Sequence, residues 1–225
     1  MMHRRFLIAA SVAALVGAVT VPGGADPGGV VTGKVALKSA DGEAKSDMSG
    51  IVVYLEGVPG ESPPPPKANE IHQLDLTFIP DHMVVVKGST VEFPNDDKVF
   101  HNVFSLSKAA RFDLGLYKSG TSKNVTFNKT GIIDVYCNIH PQMAAKILVV
   151  ENKYYALTSA DGSFKIPNVP PGTYPAVAWQ PYGDVWRGEV TVQSGKPSSL
   201  AISLVAGNKP QYHTRKDGTP YGRYK

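Results

Sequence analysis

The chain has 225 residues with 22 glycines, 18 prolines, a single cysteine and a formal charge of +4. A lone thiol excludes any disulfide within the chain, and a charge this close to neutrality gives no support for a nucleic-acid surface. Once a leader is set aside, the length suits one large domain or two small ones.

Residues 1–25 read as a signal peptide. Arg4 and Arg5 precede an apolar run from Phe6 to Val21, and Pro22-Gly23-Gly24-Ala25 follows. The run falls short of the ~20 residues that a membrane-spanning helix needs, so no stable membrane span is expected. Cleavage after Ala25 satisfies the small-residue rule, with Val16-Gly17-Ala18 as a competing site. The mature protein is therefore expected to be periplasmic or secreted. Losing Arg4 and Arg5 lowers the charge to +2, and the last 19 residues alone carry +4, which leaves a slightly acidic body.

Beyond residue 25 no stretch has a helical period, and turn-flanked apolar strands recur, so the class is all-β. "VVTGKVAL" (30–37) and "GIVVYLEG" (50–57) come first, and the proline run 63–66 then reads as a stiff spacer. Five more strands are expected at 154–159, 161–169, 172–180, 188–195 and 198–205. Two strands cannot bury a face alone, so the first pair must recruit the later five into a seven-stranded sandwich. The expected organisation is residues 28–60 plus 152–206 as one β-sandwich, 61–151 as a domain inserted in it, and 207–225 as a basic, flexible tail.

The outer segments, "TGKVAL", "GIVVYLEG" and "TSADGSFKIPNVPPGTYPAVAW", resemble the carboxypeptidase regulatory-like (prealbumin-like) β-sandwich. That resemblance implies an accessory module without catalytic residues. Trp179 and Trp186 are either a carbohydrate-binding surface or packing residues, and packing is the commoner use of aromatics at strand positions.

The insert holds the chemistry. Its strands are read as "LDLTFIP", "MVVVKG", "STVEFPN", "HNVFSL", "NVTFNKTG", "IIDVYCN" and "AAKILVV", and among them lie His101, Cys137, His140 and Met143. Export to an oxidising compartment leaves Cys137 as an intermolecular bridge, an inert buried thiol or a metal ligand. A His₂Cys set with a weak axial Met is the signature of a blue-copper site. Three of the four side chains fall in one short loop between strands, and His101 sits on a strand end 36 residues before the cysteine. A tetrahedral zinc site on His101, Cys137 and His140 is the main metal alternative. A two-copper centre is excluded because it needs a second cysteine. His72, His82 and His213 are read as surface residues.

"FPNDDKVFHNVFS" followed by "VYCNIHPQMAAKILVV" resembles the plastocyanin and amicyanin branch of the cupredoxins. The two-residue gap between His140 and Met143 is amicyanin-like, whereas Ala144 and Ala145 depart from the usual loop. The insert also resembles exported methylamine-utilisation proteins, although that likeness does not make methylamine a substrate. It implies a Greek-key sandwich holding one type 1 copper ion on His101, Cys137, His140 and Met143. It also implies that the Asn102 amide points at the Cys137 sulfur, and that the Asn102 or Asn95 side chain ties the two ligand loops together. The expected role is single-electron transfer between periplasmic redox proteins, such as a c-type cytochrome or a dehydrogenase, without catalysis by this chain. Copper storage or delivery, and a surface-binding module with a structural insert, are the alternatives.

Overall fold

The computed structural model describes residues 28–221, so the expected signal peptide lies outside the described residues. The described residues form 17 strands and no α-helix. In chain order, β1 (Gly29–Lys38) and β2 (Val52–Leu55) come first. The middle of the chain supplies β3 (Asn69–Glu70), β4 (His72–Leu74), β5 (Thr77–Ile79), β6 (His82–Val86), β7 (Thr90–Pro94) and β8 (His101–Leu106). It continues with β9 (Arg111–Tyr117), β10 (Ser122–Thr126), β11 (Gly131–Cys137) and β12 (Ala144–Val150). The last five are β13 (Tyr155–Leu157), β14 (Ser163–Val169), β15 (Gly172–Trp179), β16 (Val185–Val192) and β17 (Pro197–Val205).

The first two strands and the last five make up two sheets, ordered β14-β1-β17 and β13-β2-β15-β16. Strand β1 pairs antiparallel with β14 and parallel with β17, from Val30 opposite Pro197 to Lys38 opposite Val205. Strand β2 lies between β13 and β15. The core between the sheets is built from inward positions of both, among them Val31, Val35, Val53, Leu55, Phe164, Ile166, Ala176 and Ile202. The turn into β14 needs Gly162, which has φ of 82° and on which a Cβ would stand 2.1 Å from the Val35 carbonyl oxygen.

The middle strands form a second sandwich, with sheets ordered β10-β7-β3 and β6-β12-β11-β8-β9 and a small β4-β5 hairpin. Its core includes Ile71, Val91, Phe93, Val103, Phe127, Ile133, Val135 and Ile147, with Cys137 and Met143 at one end. Alternation along β11 turns Ile133, Val135 and Cys137 inward, so the thiol is the last inward position of its strand.

A third cluster joins the two sandwiches. Val84, Val86, Leu148 and Val150 project from the outer face of β6 and β12 onto Val52 and Trp179. Strand β12 is therefore buried on both faces, which explains the unbroken apolar run "ILVV". Burying each such side chain contributes about 1.5–3 kcal/mol, so this contact is a further core and not a loose joint. Trp179 is 3% exposed, and Trp186 packs against the first core, so both tryptophans are packing residues.

Three expectations change here. His82 is half-buried and not a surface residue: it bonds Asp81 at 2.8 Å and meets Trp179 edge-on at 6.5 Å, where the sandwiches touch. Strand β9 was not anticipated. It is an edge strand with mostly exposed or half-exposed positions, broken by Gly115 at φ of 67°, so it lacks a clean alternation. The basic tail is also not a free end, since residues 209–221 lie against the second sandwich through contacts described below.

Strands β1 and β2 occupy interior places in their sheets. A fragment of residues 152–225 should accordingly show no cooperative unfolding transition by circular dichroism. A well-folded fragment would contradict this dependence on β1 and β2.

Candidate metal centre

The centre is assembled where β11 and β8 end side by side. These strands pair through only two positions, Tyr136 opposite Phe104 and Cys137 opposite Val103. That register sets Cys137 beside His101, the first residue of β8. The chain then turns through residues 138–143 before β12 begins, and His140 folds back over the strand ends.

Three donor atoms converge. His101 Nδ1 and His140 Nδ1 are 3.0 Å apart, and the Cys137 sulfur lies 3.7 Å and 3.6 Å from them. His101 and Cys137 are fully buried, whereas His140 is half-exposed. One ion at about 2.0–2.3 Å from nitrogen and sulfur ligands reaches all three atoms. A soft sulfur with two imidazole nitrogens suits copper or zinc and not magnesium or calcium. Met143, the fourth residue singled out from sequence, is fully buried in the same cluster as Cys137. Its backbone closes the loop: the Cys137 amide donates to the Met143 carbonyl at 3.3 Å, and the Met143 amide to the His140 carbonyl at 3.2 Å.

The protonation states fit ligation. Burial holds the His101 ring below its usual pKa, against the pull of Asp97. Burial and the neighbouring His101 hold His140 down as well. Both rings are thus kept neutral, as metal ligands must be. Burial pushes the Cys137 thiol up, while the amides of Asn102, Ile139 and His140 favour the thiolate. A bound cation reverses the burial effect by supplying the opposite charge next to the sulfur.

Asn102 carries out only part of the role the resemblance implies. Its amide favours the Cys137 thiolate, and its carbonyl accepts the Asn138 amide at 2.9 Å, which ties the segments of His101 and Cys137 through backbone. Its side chain turns away and donates to Asp113 on β9 at 2.6 Å. Asn95 holds its own loop, donating to the carbonyls of Val99 at 2.9 Å and Tyr117 at 3.2 Å. Neither side chain bridges the ligand loops.

Sequence reasoning missed Asp97. Its carboxylate stands 3.2 Å from His101 Nε2, the nitrogen facing away from the centre. It also accepts the Leu76 amide at 2.8 Å and the Lys98 amide at 2.9 Å. The carboxylate therefore fixes the ring by accepting the Nε2 proton, which leaves Nδ1 free as a donor to metal. The signal lay in "PNDDK", but nothing in those residues distinguishes a turn aspartate from one aimed at a histidine. Of the remaining histidines, His72 is a partly exposed residue held between Asp96 and Glu70. His213 is half-buried against Tyr136 and not at the surface as expected.

Residues 67–150 match the family described as copper binding proteins, plastocyanin/azurin family. Residues 139–200 match polysaccharide lyase family 4, domain II. No curated protein sequence matches the chain. Among solved structures, the chain is similar to a purple cupredoxin from Nitrosopumilus maritimus at 22% identity and a TM-score of 0.34, covering 36% of this chain and 99% of that one. It is also similar to a reduced variant of amicyanin at 20% identity and a TM-score of 0.36, covering 44% of this chain and 98% of that one. A copper-containing nitrite reductase from Thermus scotoductus SA-01 is similar at 24% identity and a TM-score of 0.37, over 42% of this chain and only 25% of that one.

The inner sandwich is a cupredoxin domain of the plastocyanin/azurin type, with copper as its metal and His101, Cys137 and His140 gathered at its candidate site. A second β-sandwich accompanies it in the same chain.

Removing the Asp97 carboxylate frees the His101 ring and leaves the Leu76 amide unpartnered. Asp97→Ala should weaken copper affinity by ~10–100-fold in a chelator competition, and Asp97→Asn should recover part of the loss. Unchanged affinity in both variants would show that packing alone orients His101.

Proposed function

We propose that the protein carries single electrons between exported redox proteins. The observation that supports this reading is the convergence of one buried thiol and two imidazole nitrogens on two paired strand ends. Copper bound there supplies a one-electron couple. The chain's own contribution is to hold its ligands still. His101 is fixed by Asp97 and by complete burial, and Cys137 is fixed by its place in β11 and by complete burial. A frame that shifts little between oxidation states keeps the reorganisation on electron transfer small.

Met143 is proposed as the weak axial ligand, and half-exposed His140 as the edge through which electrons enter and leave. Donor and acceptor would be redox proteins of the periplasm or the extracellular space, of the class of a c-type cytochrome or a dehydrogenase. The chain would act as a carrier and not as a catalyst. Burial of His101, Cys137 and Met143 leaves half-exposed His140 as the one proposed ligand within a partner's reach.

The copper-loaded protein should show intense visible sulfur-to-copper absorption, and Cys137→Ser should abolish it. Met143→Leu should keep the colour and raise the reduction potential, because a weak axial ligand tunes the couple without holding the ion. If Met143→Leu instead abolishes copper binding, Met143 is a principal ligand, and storage or delivery becomes the better reading.

A further inference from the structure

The C-terminal segment grips the loop that carries three of the four proposed copper ligands. Tyr221 donates its hydroxyl to the Cys137 carbonyl at 2.8 Å. The Lys216 amide donates to the Asn138 side-chain oxygen at 2.9 Å, and the His213 amide to the Pro141 carbonyl at 3.1 Å. These bonds fall on both sides of His140. The loop's own backbone bonds are the longer ones at 3.2 and 3.3 Å, together with the Asn138 amide on Asn102 at 2.9 Å. The tail thus supplies as many hydrogen bonds to the loop as these three, and shorter ones than the two that close it.

The tail is itself organised to make this contact. The Gly218 amide donates to the Arg215 carbonyl at 2.9 Å and the Arg215 amide to the Thr219 carbonyl at 2.8 Å, so a tight turn brings Tyr221 back to the loop. The His213 ring stacks on Tyr136 with centroids 4.4 Å apart and meets Tyr221 edge-on at 5.5 Å. Two of its cations are engaged within the molecule: Lys209 pairs with Asp81 at 3.2 Å and Lys216 with Asp113 at 2.5 Å. Asp113 in turn accepts from the side chain of Asn102, whose carbonyl holds the Asn138 amide.

We propose that residues 209–221 are a built-in strap that holds the 137–143 loop in its ligating shape and slows loss of the metal. Tyr221, Lys216 and His213 are positioning residues that act through the loop backbone and not on the ion. The part of this inference that concerns metal retention rests on the copper reading above. The part that concerns the loop does not.

Three proteins test it: the full chain, a chain ending at Asn208, and the full chain with Tyr221→Phe. The truncation removes no strand of either sandwich. Amide hydrogen exchange in the metal-free proteins reads the loop, and transfer of Cu(I) to excess bathocuproine disulfonate reads retention. The truncated chain should exchange its loop amides and lose Cu(I) at least ~10-fold faster, and Tyr221→Phe about fivefold faster, as expected for loss of one net hydrogen bond. Amides of β1 and β17 should keep their rates. The strap is refuted if loop exchange in both variants equals that of the full chain. It is equally refuted if β1 and β17 accelerate alongside the loop, since the tail would then be a general stabiliser. If the full chain takes up no copper, the copper reading fails while the exchange comparison still decides the strap.

Discussion

Two residue pairs between β11 and β8 hold the centre together. Tyr136 faces Phe104 and Cys137 faces Val103, and the Asn138 amide on the Asn102 carbonyl adds one more backbone bond. A pairing this short leaves the last inward residue of one strand beside the first residue of the other, which puts the thiol next to His101. A slip of one residue would turn Cys137 outward and carry Tyr136 into the core, because side chains alternate along a strand. The apolar residues of β11 forbid that slip: Ile133 and Val135 are fully buried, and Ile132 and Asp134 are not.

Around that pairing the protein adds constraints in layers. Asp97 fixes the outer nitrogen of His101, and the amides of Asn102, Ile139 and His140 favour a thiolate at Cys137. Asp113 holds the Asn102 side chain from the neighbouring strand β9. The outer sandwich covers the far face of β6 and β12 with Val52 and Trp179, so the sheet that bears His101 and Cys137 is supported from behind. The outer sandwich thereby contributes to the rigidity of the centre without approaching it. The loop between β11 and β12, which carries Cys137, His140 and Met143, is closed by long backbone bonds of 3.2 and 3.3 Å.

His101, Cys137 and His140, which the fold brings together, stand out in the sequence because their spacing is chemical. A cysteine, a histidine and a methionine at intervals of three residues after an apolar strand, with His-Asn upstream, form a pattern that packing does not require. The seven strands of the outer sandwich were legible from alternation and turn residues. What escaped was long-range and polar. Asp97 sits in a run of turn residues where aspartate is ordinary, and only the fold aims it at His101. Strand β9 faces solvent over most of its length, so its periodicity is weak. The tail reads as solvated because it is basic and rich in glycine, proline and tyrosine. Its bonds go to backbone and side-chain groups 72 or more residues away, which no local pattern reports. The Asn102 side chain was misassigned for a related reason: its partner lies on β9, the strand the pattern hid.

The central claim is that this frame presents one sulfur and two imidazole nitrogens to a single copper ion and keeps them there in both oxidation states. X-ray absorption spectroscopy of the copper protein, oxidised and then reduced, tests this most directly. The account predicts one sulfur and two nitrogen ligands in each state, with near-identical distances. A site that loses its sulfur or a histidine on reduction, or that is built from nitrogen and oxygen alone, would contradict it.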